Sequence, residues 1–118
     1  MKQVMLIELG MGVDLQGQDT TKAANRAVRD AIQRNYLPGI RRMLETSRGR
    51  MLVHVRLGAP TDAAPPDLEA VRASLPYGEV TVELAPGGML VPNGLDDGGR
   101  ICVVNAAVEV AVDTAATG

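Results

Sequence analysis

The chain has 118 residues, 46% of them apolar and 22% charged, with a formal net charge of −2, which suits one domain with a hydrophobic core and excludes a disordered polyelectrolyte. Near-neutral charge and two aromatic residues, Tyr36 and Tyr77, provide neither the basic footprint nor the stacking platform of a nucleic-acid binder, so no nucleic-acid partner is expected. No apolar run approaches the roughly 20 residues of a membrane span, and Met1-Lys2-Gln3 leads into a strand pattern at Val4 without room for a secretory signal, so a cytoplasmic protein with no membrane contact is expected.

Residues 4–9 place Met5, Ile7 and Leu9 on one face and Val4, Leu6 and Glu8 on the other. They predict a strand buried on both faces and ended by Gly10 and Gly12. Asp19, Thr20 and Thr21 supply N-caps for a helix with the stripe Ala24, Val28 and Ile32, flanked by Ala23, Ala27 and Ala31, before Pro38-Gly39. So many alanines predict close helix-to-sheet packing. After a helical turn around 40–44, Met51, Val53, Val55 and Leu57 alternate with Leu52, His54 and Arg56 as a second strand. Asp67 caps a short helix carrying Leu68, Val71 and Leu75, and residues 79–84 alternate as a third strand. Residues 85–99 hold five glycines and two prolines and read as a long loop, a second candidate site segment. Residues 100–113 form a long strand that is largely apolar on both faces, and 114–118 read as a flexible tail.

The order β-α-β-α-β-β predicts a single α/β (α+β) domain over residues 1–113, with a four-stranded mixed sheet and two helices on one face. Because the first and last strands are apolar on both faces, the second face is expected to be buried against another copy of the chain.

The glycine-rich segment between a strand and a helix suits an anion or carbonyl, since free backbone N–H groups and the helix dipole point there. It is not the dinucleotide fingerprint, because Leu15 stands where the third glycine belongs. Asp14, Gln16, Gln18, Asp19, Lys22 and Arg26 place six polar groups in thirteen residues. They read either as a site or, one by one, as turn stabiliser, cap and solvated charges. On the last strand Asn105 and Glu109 share a face with Ala107, so a neighbouring subunit satisfies them or they line a pocket. His54, the only histidine, reads as a satisfied core or interface residue ahead of a catalytic one. Cys102 lies in an apolar run and reads as a buried free thiol. One His and one Cys cannot build an ordinary zinc site, so neither a metal nor a cofactor is expected. Ser47 and Ser74, the only serines, sit in no recognisable nucleophile setting.

The segment Gly10-Met11-Gly12-Val13-Asp14-Leu15-Gln16-Gly17-Gln18-Asp19, with Thr21-Lys22-Ala23-Ala24 and Val103-Val104-Asn105-Ala106-Ala107-Val108-Glu109-Val110, resembles the Lin-family conserved hypothetical proteins over nearly the whole chain. That family's signature is GxGxDxHG, and Gln16 stands here where the histidine belongs. If that histidine is a general base in relatives, the change alters or removes the activity, because glutamine can orient a substrate but not take its proton. The element order is also similar to the trimeric AroH-class chorismate mutase and to one repeat of the ring-opening amidohydrolases, cyanuric acid hydrolase and barbiturase. The resemblance implies a homotrimer with pockets between subunits. Neither chemistry carries over directly, since residues 4–9 contain no arginine and Pro86-Gly87-Gly88 replaces a Ser-Gly-Gly turn.

The leading expectation is an enzyme using acid-base chemistry on a small polar, cyclic or carbonyl-bearing metabolite in an inter-subunit pocket. Asp14, Glu109 and Lys22 are its catalytic candidates, while Gln16, Gln18, Asp19, Arg26, His54, Gly87, Gly88 and Asn105 are its substrate-binding candidates. The competing expectation is a non-catalytic ligand-binding or structural homo-oligomer.

Overall fold

The computed structural model describes residues 1–33, 38, 42, 45, 49–75 and 78–114. Its elements are β1 (Lys2–Asp14), α1 (Thr20–Ile32), β2 (Arg50–Ala59), α2 (Leu68–Ala73), β3 (Glu79–Pro86), β4 (Met89–Pro92) and β5 (Arg100–Asp113). The long strand that is apolar on both faces takes the centre: β5 pairs antiparallel with β1 on one side and β2 on the other, and β2 pairs parallel with β3. The mixed sheet with helices α1 and α2 follows the predicted class.

The sheet has five strands rather than four. Met89–Pro92 pairs with residues 100–103 of β5, in the span beyond Asn105 that β2 does not reach. Only four residues long and set between Gly87-Gly88 and Asn93-Gly94, this strand is too short to show a period against its glycine-rich surroundings. The expected turn over 40–44 lies, apart from Arg42, outside the described residues, as does the tail beyond Thr114.

One face of the sheet carries the core. Val53, Val55 and Leu57 of β2 and Cys102, Val104, Val108 and Val112 of β5 pack beneath Ala23, Ala24, Ala27 and Val28 of α1 and Val71 of α2. Both helices start on aspartate caps: Asp19 accepts from Lys22 N at 3.0 Å and Asp67 from Ala70 N at 3.1 Å. Thr20 and Thr21 join these two starts, Thr20 Oγ1 donating to Ala64 O and Thr21 Oγ1 accepting from Asp67 N. No described helix is long and apolar enough to cross a membrane.

β1 departs most from expectation. It continues through Gly10 and Gly12 to Asp14, so the motif glycines lie inside a strand and not in a loop after one. Alanines on α1 and glycines on β1 bring the two backbones together: a Cβ at Gly10 would lie 2.6 Å from Ala31 N, and one at Gly12 would meet Ala23 O and Ala27 N. Glycine inside a strand marks such a close approach. A register shift between Val4 and Leu6 also moves Val4 to the face of Ile7 and Leu9, which within one chain is open, not buried.

On the covered face, Glu8 Oε2 has no hydrogen-bond partner among the described residues, and burial raises the pKa of this carboxyl. The charged form is therefore disfavoured in the fold, a cost present above the folded pKa and absent below the unfolded value near 4.5. Glu8→Gln is expected to raise the thermal midpoint at pH 7 and to lose that gain below pH 4.5. A gain independent of pH would contradict desolvation of the carboxylate as its source.

Candidate functional site

The predicted site residues separate into three places. The first is the junction where β1 hands over to α1. Asp14, only 4% exposed, accepts from Asp19 N at 2.8 Å and so closes the loop between them, while Arg26 Nη1 lies 3.6 Å from its other oxygen. Arg26 also donates to Val13 O at 2.7 Å, and Asp30, one turn on, accepts from Met11 N at 3.0 Å. Two helix side chains thereby occupy edge groups of β1 that β5 does not take. Lys22 stands exposed on the first turn of α1.

The second place is a cleft of 470 Å³ beside this junction. One wall is the loop after Asp14, where Gly17 (φ 87°) and Gln18 (φ 51°) take left-handed backbone so that Gln16 and Gln18 line the opening. The other wall is the turn between β4 and β5 with Asn93, Asp97 and Arg100. Asp97 Oδ1 accepts from Asn93 Nδ2 at 2.9 Å and Gly99 N at 2.7 Å, and these two bonds, the side-chain one foremost, hold its carboxyl below the usual range. Arg100 Nη1 reaches Asp62 at 3.4 Å.

The third place is the open sheet face. In-register pairing sets Ile7, Glu109, His54 and Thr81 in one row and Leu9, Ala107, Arg56 and Glu83 in the next. His54 bridges the rows, with Nδ1 2.6 Å from Thr81 Oγ1 and Nε2 3.2 Å from Glu83 Oε1, and Arg56 Nε sits 2.6 Å from the same Glu83 oxygen. The hydrogen bond from His54, followed by that from Arg56, keeps Glu83 below the ordinary carboxylate range. Glu109, with its side chain 15% exposed, lies 3.9 Å from both Arg56 and Lys2. Asn105 is exposed one row further on, opposite Met11 and Gly58.

Asp14 and Glu109 are thus not brought together within one chain. They project from opposite faces, and their positions along β5, opposite Cys102 and at Glu109 itself, are roughly 24 Å apart at the rise of an extended strand. Gly87 and Gly88 stand between β3 and β4, and Gly87 N already donates to Ala59 O at 3.0 Å. Arg56, Glu83, Asp97 and Arg100 were not singled out from the sequence. The first two meet His54 only through the parallel register of β2 and β3, which no local pattern encodes.

Cys102 is fully buried, and burial together with the Asp14 and Asp19 charges raises its thiol pKa, which suits an inert core group.

Among solved structures, the chain is similar to an FtsZ-like protein of unknown function from Nostoc punctiforme PCC 73102, determined at 1.22 Å. The two are 34% identical with a TM-score of 0.79, over 95% of this chain and 97% of that one. No curated protein matches. Residues 4–110 match the conserved hypothetical proteins designated Lin0512_fam, and with that match over most of its length the chain belongs to this family.

Proposed function

We propose that the chain is a homo-oligomeric small-molecule enzyme, a homotrimer on the resemblance to chorismate mutase, whose acid-base site forms where the open sheet face meets another copy. The observation that carries this reading is the juxtaposition on that face of His54, Arg56, Glu83 and Glu109 with the apolar row Ile7, Leu9 and Met11, which are 59%, 76% and 54% exposed. A row of apolar side chains left in water favours association. The charges on the face already neutralise one another, so a second copy can cover them without burying an unpaired ion. Association through the face rather than the β1 edge agrees with Arg26 and Asp30 occupying that edge.

In this reading Glu109 moves the proton, Arg56 and Asn105 bind polar substrate groups, and His54, both of whose ring nitrogens are engaged by Thr81 and the ionised Glu83, forms part of the pocket wall. Asp14, engaged by Asp19 and Arg26, holds the adjoining loop. Light scattering at micromolar concentration is expected to give the mass of three 12.4 kDa chains, and Leu9→Glu a folded monomer. Proton abstraction is expected as deuterium incorporation next to a carbonyl when a panel of cyclic and carbonyl-bearing metabolites is followed by proton NMR in D2O. Glu109→Gln should slow it by about 100-fold or more, the usual contribution of a general base. A monomeric wild type sinks the shared-site reading, and an absence of exchange leaves the non-catalytic homo-oligomer in its place.

A further inference from the structure

We infer that the cleft between the loop after β1 and the turn before β5 is a second site, complete within one chain, and that it takes a small zwitterion of the amino-acid type. Its 470 Å³ falls within the size range of small-molecule pockets. The chemistry of its walls selects the class. Arg100 uses Nη1 on Asp62, leaving Nε and Nη2 without a hydrogen-bond partner among the described residues, a fork suited to a carboxylate. Asp97 takes the Asn93 and Gly99 bonds on Oδ1, with its own backbone N–H as a further donor to the carboxyl, and lone pairs on Oδ2 can receive an ammonium. The carboxamides of Gln16 and Gln18 have no partner among the described residues and can both donate and accept. Leu95 and Ile101 offer apolar surface to a short carbon skeleton. A dianion would leave Asp97 opposed by like charge, and a dication would do the same to Arg100; a molecule carrying one of each sign satisfies both.

The location strengthens the assignment. Gln16 lines the cleft, whereas Gly10, Gly12 and Asp14 before it are engaged in packing and loop closure. The motif thus has a structural half and a ligand-facing half. The site does not depend on the open face, so its failure and the failure of the oligomeric reading are separable.

Isothermal titration calorimetry with the twenty standard amino acids, tested singly, should find at least one with a Kd below about 1 mM. Succinate and putrescine, which carry two like charges, should bind at least 10-fold more weakly than that amino acid. Arg100→Gln should weaken binding 10-fold or more. Because Asp97 also holds its own turn, the double variant Gln16→Ala/Gln18→Ala serves as the second probe from the opposite wall, and it should lose at least 5-fold with an unchanged thermal midpoint. The monomeric Leu9→Glu variant should bind as the wild type does. No amino acid binding below about 1 mM, succinate or putrescine equalling the best amino acid, or either cleft variant binding normally overturns the proposal.

Discussion

Gly12→Val is expected to leave the chain unable to hold its native fold. The added side chain would start where α1 already lies: a Cβ at residue 12 would meet Ala23 O and Ala27 N, with Arg26 C at 2.8 Å. These are backbone atoms, so no rotamer change relieves the contact, and the helix must lift from the sheet. Overpacking ordinarily costs about 1–3 kcal/mol and more where backbone must move. Lifting α1 also uncovers Ala23, Ala24, Ala27 and Val28, all within 2% of complete burial. Against the about 5–15 kcal/mol that holds a typical domain, the combined loss is most of the total. Circular dichroism and a thermal melt would check it, and Gly10→Ala, whose Cβ would lie 2.6 Å from Ala31 N, should produce the same effect in milder form. A Gly12→Val protein melting near the wild-type temperature would show that α1 does not sit this close.

Asp14→Ala is expected to destabilise by about 2–3 kcal/mol, the range for a hydrogen bond to a buried charged group together with a partner left behind. The Asp19 amide would lose its 2.8 Å acceptor and Arg26 the carboxylate at 3.6 Å, so the loop that carries Gln16 and Gln18 would lose its closure. At about 4 °C per kcal/mol for a domain of this size, the midpoint should fall by about 10 °C. Asp14→Asn separates structure from chemistry. Its amide oxygen can still accept from Asp19, so about half the stability should return. Wild-type stability in both variants would overturn this loop-closing role of Asp14.

The family motif divides along the same line. Gly10, Gly12 and Asp14 share the covered face of β1, and each has a steric or hydrogen-bonding reason to be the residue it is. Gln16 has none among the described residues, and it lines the cleft. A position free of structural duty beside an opening is where relatives can differ in ligand or chemistry without loss of the fold. In the proposed reading Gln16 bears on ligand choice, while the preceding glycines serve the packing of α1 on β1.

Much of the architecture was legible in local patterns. The alanine stripe announced a helix lying close to a sheet, Asp19 and Asp67 were readable as caps, and the apolar alternation of residues 100–113 marked the central strand. These depend on periodicity and capping, which act within a few residues of chain. The extent of β1 was not legible, because two glycines spaced for a loop and two glycines spaced for a helix to rest on look the same until the helix is in place. β4 was hidden for want of length.

Residue order alone was enough to mark which side chains could be buried, where the helices begin, that residues 100–113 form a strand largely apolar on both faces, and that the motif segment would adjoin a helix start. Only the folded chain sets Asp14 and Glu109 on opposite faces, brings His54 to Arg56 and Glu83, and gives Gln16 a cleft in common with Asp97 and Arg100. The physical reason is register. A shift of one residue in a strand pairing turns every side chain to the other face, and the pairings here join residues as far apart as Lys2 and Asp113, which no local spacing in the chain can specify.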